Sequence, residues 1–295
     1  MNMLPAREVQ LANEYIYSRK HIDKYIKDFI ESSMMDKVSM GVTLLDEYRN
    51  KQYSYESKNL RVAQLANLDL EELVISVFTA VAYCQTPELF TSVSAQLAGR
   101  LKFSEKKEGI QTIAEILAVL CQTDAFDILK DGKFASLVVL SRIPLEERLL
   151  RYINNATFLP PMVCEPNELT NNYSSGYLTH NDSLILGKGN HHEGDICLDV
   201  LNTQNQTALR LDTDFLSKVE EEPTFALDTG EKIDMWHQFK VQSYQFYTLI
   251  AKQRNHFYLT HKVDKRGRIY AQGFHINSQG SSFKKAMIEL AKQEL

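Results

Sequence analysis

"IDMWHQFKVQSYQFYTLIAKQRNHFYLTHKVDKRGRIYAQG", residues 233–273, changes character part-way along. As far as about Phe257 its apolar residues recur at helical spacing, which predicts one long amphipathic helix. Beyond it, Val263, Ile269 and Tyr270 favour extended chain, and they surround a basic run of Lys262, Lys265, Arg266 and Arg268 with one glycine at 267. The stretch therefore predicts a helix that feeds a short cationic β segment.

Working outward, the same helical period appears at Ile22, Tyr25, Ile26, Phe29 and Ile30, and again at Leu73, Val77, Ala80, Val81 and Cys84, giving helices over about 6–48 and 68–101. "DLEEL" at 69–73 puts carboxylates in a first helical turn, where the macrodipole favours them. "KEGIQTIAEILAVLCQT" reads as a further helix. After it the period changes in "AFDILKDGKFASLVVLS", where Asp131-Gly132 supplies the positive φ angles of a tight hairpin turn between two apolar arms. Residues 157–196 hold three of the seven prolines and many Asn, Ser and Gly, and read as a long irregular crossing. Helical spacing resumes from Cys197. The fold class expected is mainly α with short β elements.

Composition narrows the function. The net charge is −5, yet residues 251–295 carry nine Lys or Arg against three acids, so the C-terminal segment is expected to meet an anionic partner. No apolar run approaches the length of a membrane span and the N-terminus lacks a signal-peptide pattern, so a cytoplasmic location is expected. Cys84, Cys121, Cys164 and Cys197 form no C-x-x-C pair and are expected to be reduced and mostly buried. "NHHEGD" at 190–195 offers His191, His192, Glu193 and Asp195 as ligands, but adjacent histidines in a loop do not pre-form a metal site, and the stretch reads as solvated. No phosphate loop and no nucleophile–base signature is present.

If "VDKRGRIYA" is extended, alternation places Asp264, Arg266, Arg268 and Tyr270 on one face. Guanidinium forks bind phosphate oxygens bidentately, a tyrosine ring packs on a base or sugar, and Asp264 would brace a guanidinium. Gly267 lets another backbone approach or the strand bulge. Lys262 and Lys265 are weaker candidates for phosphate contact, as are Lys252 and Arg254 at the end of the long helix, which read equally well as solvated surface charge. A surface strand ending in a salt-bridged turn explains the same residues without any ligand.

"DKRGRIYAQGFHINSQGSSFKKAMIELAK" (264–292) resembles the D-x-x-G-R block of the single-subunit phage and mitochondrial DNA-dependent RNA polymerases. "FYTLIAKQRNHFYLTHKVD" is similar to the helix and strand that enter that block, "VLNTQNQTALRLD" to the family's thumb start, and "FLPPMVCEPNELTNNYSSGYL" to its Pro-Pro…Gly-Tyr loop. The family's metal-binding aspartates lie downstream of the block, beyond Leu295. The resemblance therefore implies the smaller polypeptide of a two-subunit RNA polymerase, as in lytic podophages of the N-four type, working in the cytoplasm of an infected bacterium.

By that resemblance, residues 1–156 form a helical N-terminal domain with a β-hairpin near 126–140, 157–195 a connecting loop, 196–256 thumb-like helices, and 257–295 a segment docking on a partner's palm. Asp264, Lys265, Arg266, Gly267, Arg268, Tyr270, Lys262 and Arg254 would contact nucleic acid. No catalytic residue and no metal ligand is expected in this chain. Mg2+ would be held by the catalytic palm and fingers subunit of a heterodimer. Template DNA, the RNA–DNA hybrid and a single-stranded-DNA-binding recruitment factor are the other implied partners, with no membrane. The 126–140 hairpin falls where the family places the element that wedges promoter DNA open. A non-catalytic nucleic-acid-binding accessory protein or a structural adaptor remains the alternative.

Overall fold

The computed structural model describes residues 5–99, 105–132, 136–155, 158–187 and 189–292. The end of the helix expected near Leu101 and the connecting residues 133–135 of the hairpin lie outside them. The chain is mainly α-helical with short strands, and it divides into two units, Arg19–Asn154 and a second made of residues 1–18 with Asn155–Leu295.

In the first unit, α-helical stripes make the core. Ile22, Ile26 and Ile30 follow each other at one-turn spacing on the helix Arg19–Ser33 and are fully buried. Met35–Asn50 contributes Val38 and Leu45, Leu70–Val81 contributes Val74, Val77, Phe78 and Val81, and Lys106–Leu120 contributes Ile113, Ile116, Leu117 and Leu120. Gly41 permits the close approach of two of these helices, since a Cβ there would stand 3.0 Å from Val74 Cγ1. Asp69 caps the third of them by accepting from the Glu71 and Glu72 amides, with both glutamates in the first turn. The arms on either side of Asp131-Gly132, Phe126–Lys130 and Leu137–Ser141, pair antiparallel, and Glu88–Leu89 adds to the second arm.

In the second unit the helix Ala6–Tyr17, here α1, departs from the apolar periodicity expected of 6–48. It buries Gln10, Asn13 and Glu14. The reason lies in what it meets. Glu14 accepts hydrogen bonds from the Leu178 amide (2.8 Å), the Thr179 amide (2.8 Å) and the Thr179 hydroxyl (2.7 Å), and Gln10 accepts from the Val163 amide (3.0 Å). Val163, Leu178 and Thr179 lie in irregular chain where their amides join no strand, and a helix with a polar face satisfies them.

The long helix expected over 233–257 runs Gly230–Lys252, here α2, capped by Thr229 accepting from the Lys232 amide. It stops because Arg254 and Asn255 adopt left-handed φ angles of 61° and 54°. The Asn255 side chain then pairs with both backbone groups of Leu211. Phe246, Tyr247 and Ile250 of α2 pack with Leu211, Phe257, Leu259, Ala271, Ile276 and Met287. A smaller cluster of Leu169, Leu184, Ile185, Leu201 and Val263 lies against the strand that follows. Two antiparallel pairs complete the unit, Leu209–Leu211 with Ile288–Leu290 and His261–Val263 with Ile269–Ala271.

Among the described residues no helix is long and apolar enough to cross a membrane. The four cysteines are free; Cys84 is buried, and Cys121, Cys164 and Cys197 are partly buried. Burial pushes the Cys84 thiol up to about 12, so it is inert at neutral pH.

Candidate nucleic-acid interface

The basic stretch is a hairpin and not one extended strand. His261–Val263, here β1, pairs with Ile269–Ala271, here β2, in the register His261 to Ala271, Lys262 to Tyr270 and Val263 to Ile269. Between them the Gly267 amide donates to the Asp264 carbonyl and the Asp264 amide to the Arg268 carbonyl, both at 2.9 Å. Gly267 sits at φ 78°, a conformation that costs a side-chain-bearing residue about 1–2 kcal/mol. A three-residue loop with glycine at its left-handed position is a standard way to close a hairpin.

The alternation argument for one shared face therefore fails, yet the same side chains do meet. Asp264 brings them together. Its Oδ1 accepts from the Arg266 and Arg268 amides at 2.9 and 3.0 Å. Its Oδ2 accepts from Arg266 Nε (3.1 Å) and Nη2 (3.0 Å), and from Arg268 Nε at 2.9 Å with Nη2 2.8 Å away. The Tyr270 hydroxyl lies 3.5 Å from the same oxygen, and its ring centre is 5.7 Å from the Arg268 guanidinium carbon. Burial alone would raise the Asp264 carboxyl; the Arg268 amide and guanidinium hold it below the usual range.

Each guanidinium turns one edge to Asp264 and leaves the rest outward, with 69% of the Arg266 side chain and 53% of the Arg268 side chain exposed against 17% for Asp264. The cluster is a charge-neutralised brace carrying an excess of one positive charge, with exposed Lys265 beside it. Two oriented, solvent-facing guanidiniums are suited to grip successive oxygens of a polyanion.

Lys262 is placed differently. It faces Tyr270 across the hairpin, but its ammonium donates to the Ser183 carbonyl at 2.9 Å, and burial lowers its pKa while Asp182 opposes the shift. Arg254 is exposed on the left-handed turn after α2, and no described interaction joins it to the loop.

Both outer edges of this hairpin are occupied. On the β1 side, Val263 exchanges backbone bonds with Leu184 and Leu186. On the β2 side a side chain stands in for a strand: the Ala271 amide donates to Gln279 Oε1 (2.9 Å), and Gln279 Nε2 donates to the Ile269 carbonyl (3.0 Å). Asn277 supports it by donating to the Gly273 carbonyl (2.7 Å) and accepting from the Gln279 amide (2.7 Å). Sequence reasoning missed these amides, although Asn277 and Gln279 lie in the quoted block. Gln279 fixes the peptides on both sides of Tyr270, so Gln279→Ala is expected to lower the stability of the hairpin's unit by about 1–3 kcal/mol with the fold retained, as read by urea unfolding and circular dichroism.

The 190–195 loop also has a place that its sequence did not reveal. His191, His192 and Asp195 form one wall of a cleft of about 610 Å3 whose other side includes Asp264, Lys265 and Gly267. A larger groove of about 980 Å3 runs along α2, lined by Ile233, Trp236, Val241 and Tyr244 among others. Among the described residues no group of three or more His, Cys, Asp or Glu side chains is arranged to hold a metal ion.

No protein-family model matches the sequence. Over 144 residues, covering 44% of the chain, it is 32% identical to a protein described as a probable DNA-directed RNA polymerase from Gelasinospora sp. (strain G114). The match spans 17% of that polymerase's length. The chain is thus similar, over part of its length, to a DNA-directed RNA polymerase.

Proposed function

We propose that this chain is the nucleic-acid-holding part of a DNA-directed RNA polymerase of the phage and mitochondrial type, acting as the small subunit of a split enzyme. The observation that carries the reading is the Asp264 brace, which presents Arg266 and Arg268 outward from the tip of a hairpin. Partial similarity to a DNA-directed RNA polymerase supports it.

In this reading Arg266 and Arg268 hold phosphates of the template or the RNA–DNA hybrid, Tyr270 packs beside the same strand, and Gly267 keeps the loop tip narrow. Asp264 orients both guanidiniums, so the strand meets donors that are already aligned. Lys265 adds local positive charge; Lys262 fixes β1 to the 183–186 segment; Arg254 lies along the path of a longer duplex. A second polypeptide supplies the aspartates that bind Mg2+, and with them the phosphoryl-transfer chemistry. Such an enzyme works in the cytoplasm of an infected bacterium, on template DNA delivered by a single-stranded-DNA-binding factor.

The test is extension of an RNA primer on an RNA–DNA scaffold with magnesium and four nucleotides, comparing this chain, the candidate catalytic polypeptide, and the two mixed. Synthesis by the mixture alone is the expected result. No synthesis by the mixture, with hybrid still bound by this chain, would identify a non-catalytic accessory protein instead.

A further inference from the structure

We propose that the cleft beside the arginine loop receives one unpaired nucleobase from the strand whose phosphates the arginines hold, an assignment that rests on the nucleic-acid reading above. The cleft has the anatomy of a base pocket. Its floor is apolar, made by buried Ile185 and Val263 with Ile196 beside them, and suits the flat face of a base. Its rim is polar, with His191, His192, Asp195 and Lys265. Its volume of about 610 Å3 falls within the range of small-ligand pockets.

The rim is held in place. Asn172 Nδ2 donates to both the His192 and Gly194 carbonyls at 2.7 Å, and the Tyr173 hydroxyl donates to Glu193 at 2.7 Å. The His191 ring is fixed by Nδ1, 3.3 Å from the Gly189 carbonyl. By contrast, the side chains of His192, Asp195 and Lys265 have no hydrogen bond or ion pair among the described residues. A carboxylate accepts from an exocyclic amino group, an imidazole donates to a ring nitrogen or carbonyl, and an ammonium binds the adjoining phosphate. Asp264, the other acid at the cleft, is engaged by the arginines and does not repel that phosphate.

Continuity with the arginine loop selects the ligand. Gly267 belongs to both the loop and the cleft wall, and apart from its chain neighbours no residue has an atom within 4 Å of where its Cβ would be, so no other element fills the space beside it. A paired base keeps both faces stacked and its edge occupied, so only an unpaired one enters.

The experiment uses the full chain with an RNA–DNA hybrid carrying a single-stranded DNA extension, through which 2-aminopurine or an abasic residue is scanned. At one position the 2-aminopurine fluorescence changes on binding, and an abasic residue there weakens affinity about fivefold to tenfold. The variant His192→Ala with Asp195→Ala loses that dependence while binding a blunt hybrid as the unaltered chain does. An abasic penalty at no position, or one that persists in the variant, overturns the proposal. Base-sensitive binding of the extension without any binding of blunt hybrid would leave the pocket standing and refute the hybrid-holding function; binding of both without base dependence would do the reverse. No binding of either overturns both.

Discussion

Arg266→Ala combined with Arg268→Ala is expected, under the proposed function, to lower RNA extension by the two mixed polypeptides about a hundredfold while leaving the fold of this chain unchanged. The size follows from removing two charge-assisted phosphate contacts, each commonly worth about tenfold or more. The fold survives because both side chains are mostly exposed and because Asp264, once the guanidiniums are gone, still accepts from the amides of residues 266 and 268. No buried group is orphaned.

Two further readouts separate phosphate binding from a general loss of charge. The slope of log affinity against log salt should become shallower by about two, one counterion per lost contact. Arg268→Lys should recover little, because an ammonium cannot hold Asp264 with one edge and a phosphate with the other. Extension at the unaltered rate by the double variant would remove this loop from the nucleic-acid path.

The second large effect concerns stability. Glu14→Ala is expected to cost the unit formed by residues 1–18 and 155–295 about 3–5 kcal/mol, the range for breaking a buried charged cluster. Glu14 is fully buried, and its loss removes the charged acceptor of the Leu178 and Thr179 amides and the Thr179 hydroxyl, with His180 Nδ1 3.5 Å away. Burial pushes its carboxyl up, but hydrogen bonds from His180, Gln10, Thr179 and Leu178 outweigh burial and hold it at about 2.

A carboxyl whose folded pKa is depressed stabilises the protein above its ordinary value of 4.5 and loses that contribution as pH falls toward about 2. The contribution is on the order of 3 kcal/mol. Urea unfolding of the unaltered chain and of Glu14→Gln should therefore differ most at neutral pH, with the gap closing between about 4.5 and about 2. A gap that stays constant across that window would show that Glu14 does not carry its charge in the folded state.

These two sites show unequal legibility. The isoleucines at 22, 26 and 30, the acids after Asp69, and the turn at Asp131-Gly132 each announce a local structure, because helical faces, caps and turns are set by residues within a few positions of one another. Arg266, Arg268 and their glycine were legible as a cationic patch, and their likeness to a polymerase block was legible in the spelling itself. Their geometry was not: β propensity suggested a strand, whereas the left-handed Gly267 and the pull of one carboxylate made a hairpin tip.

By itself the sequence indicated most of the helices, where the backbone can turn and where positive charge collects, although the strands Glu88–Leu89 and Leu209–Leu211 interrupt stretches whose period predicted helix. Tertiary structure alone decided that Glu14 of α1 meets Thr179, that Gln279 closes the edge of β2, and that the His191–His192 loop walls a cleft beside Asp264. Those pairings join residues as far as 165 positions apart. They satisfy buried donors and acceptors wherever the chain happens to bring them, so they leave no period, spacing or composition for a linear reading to find.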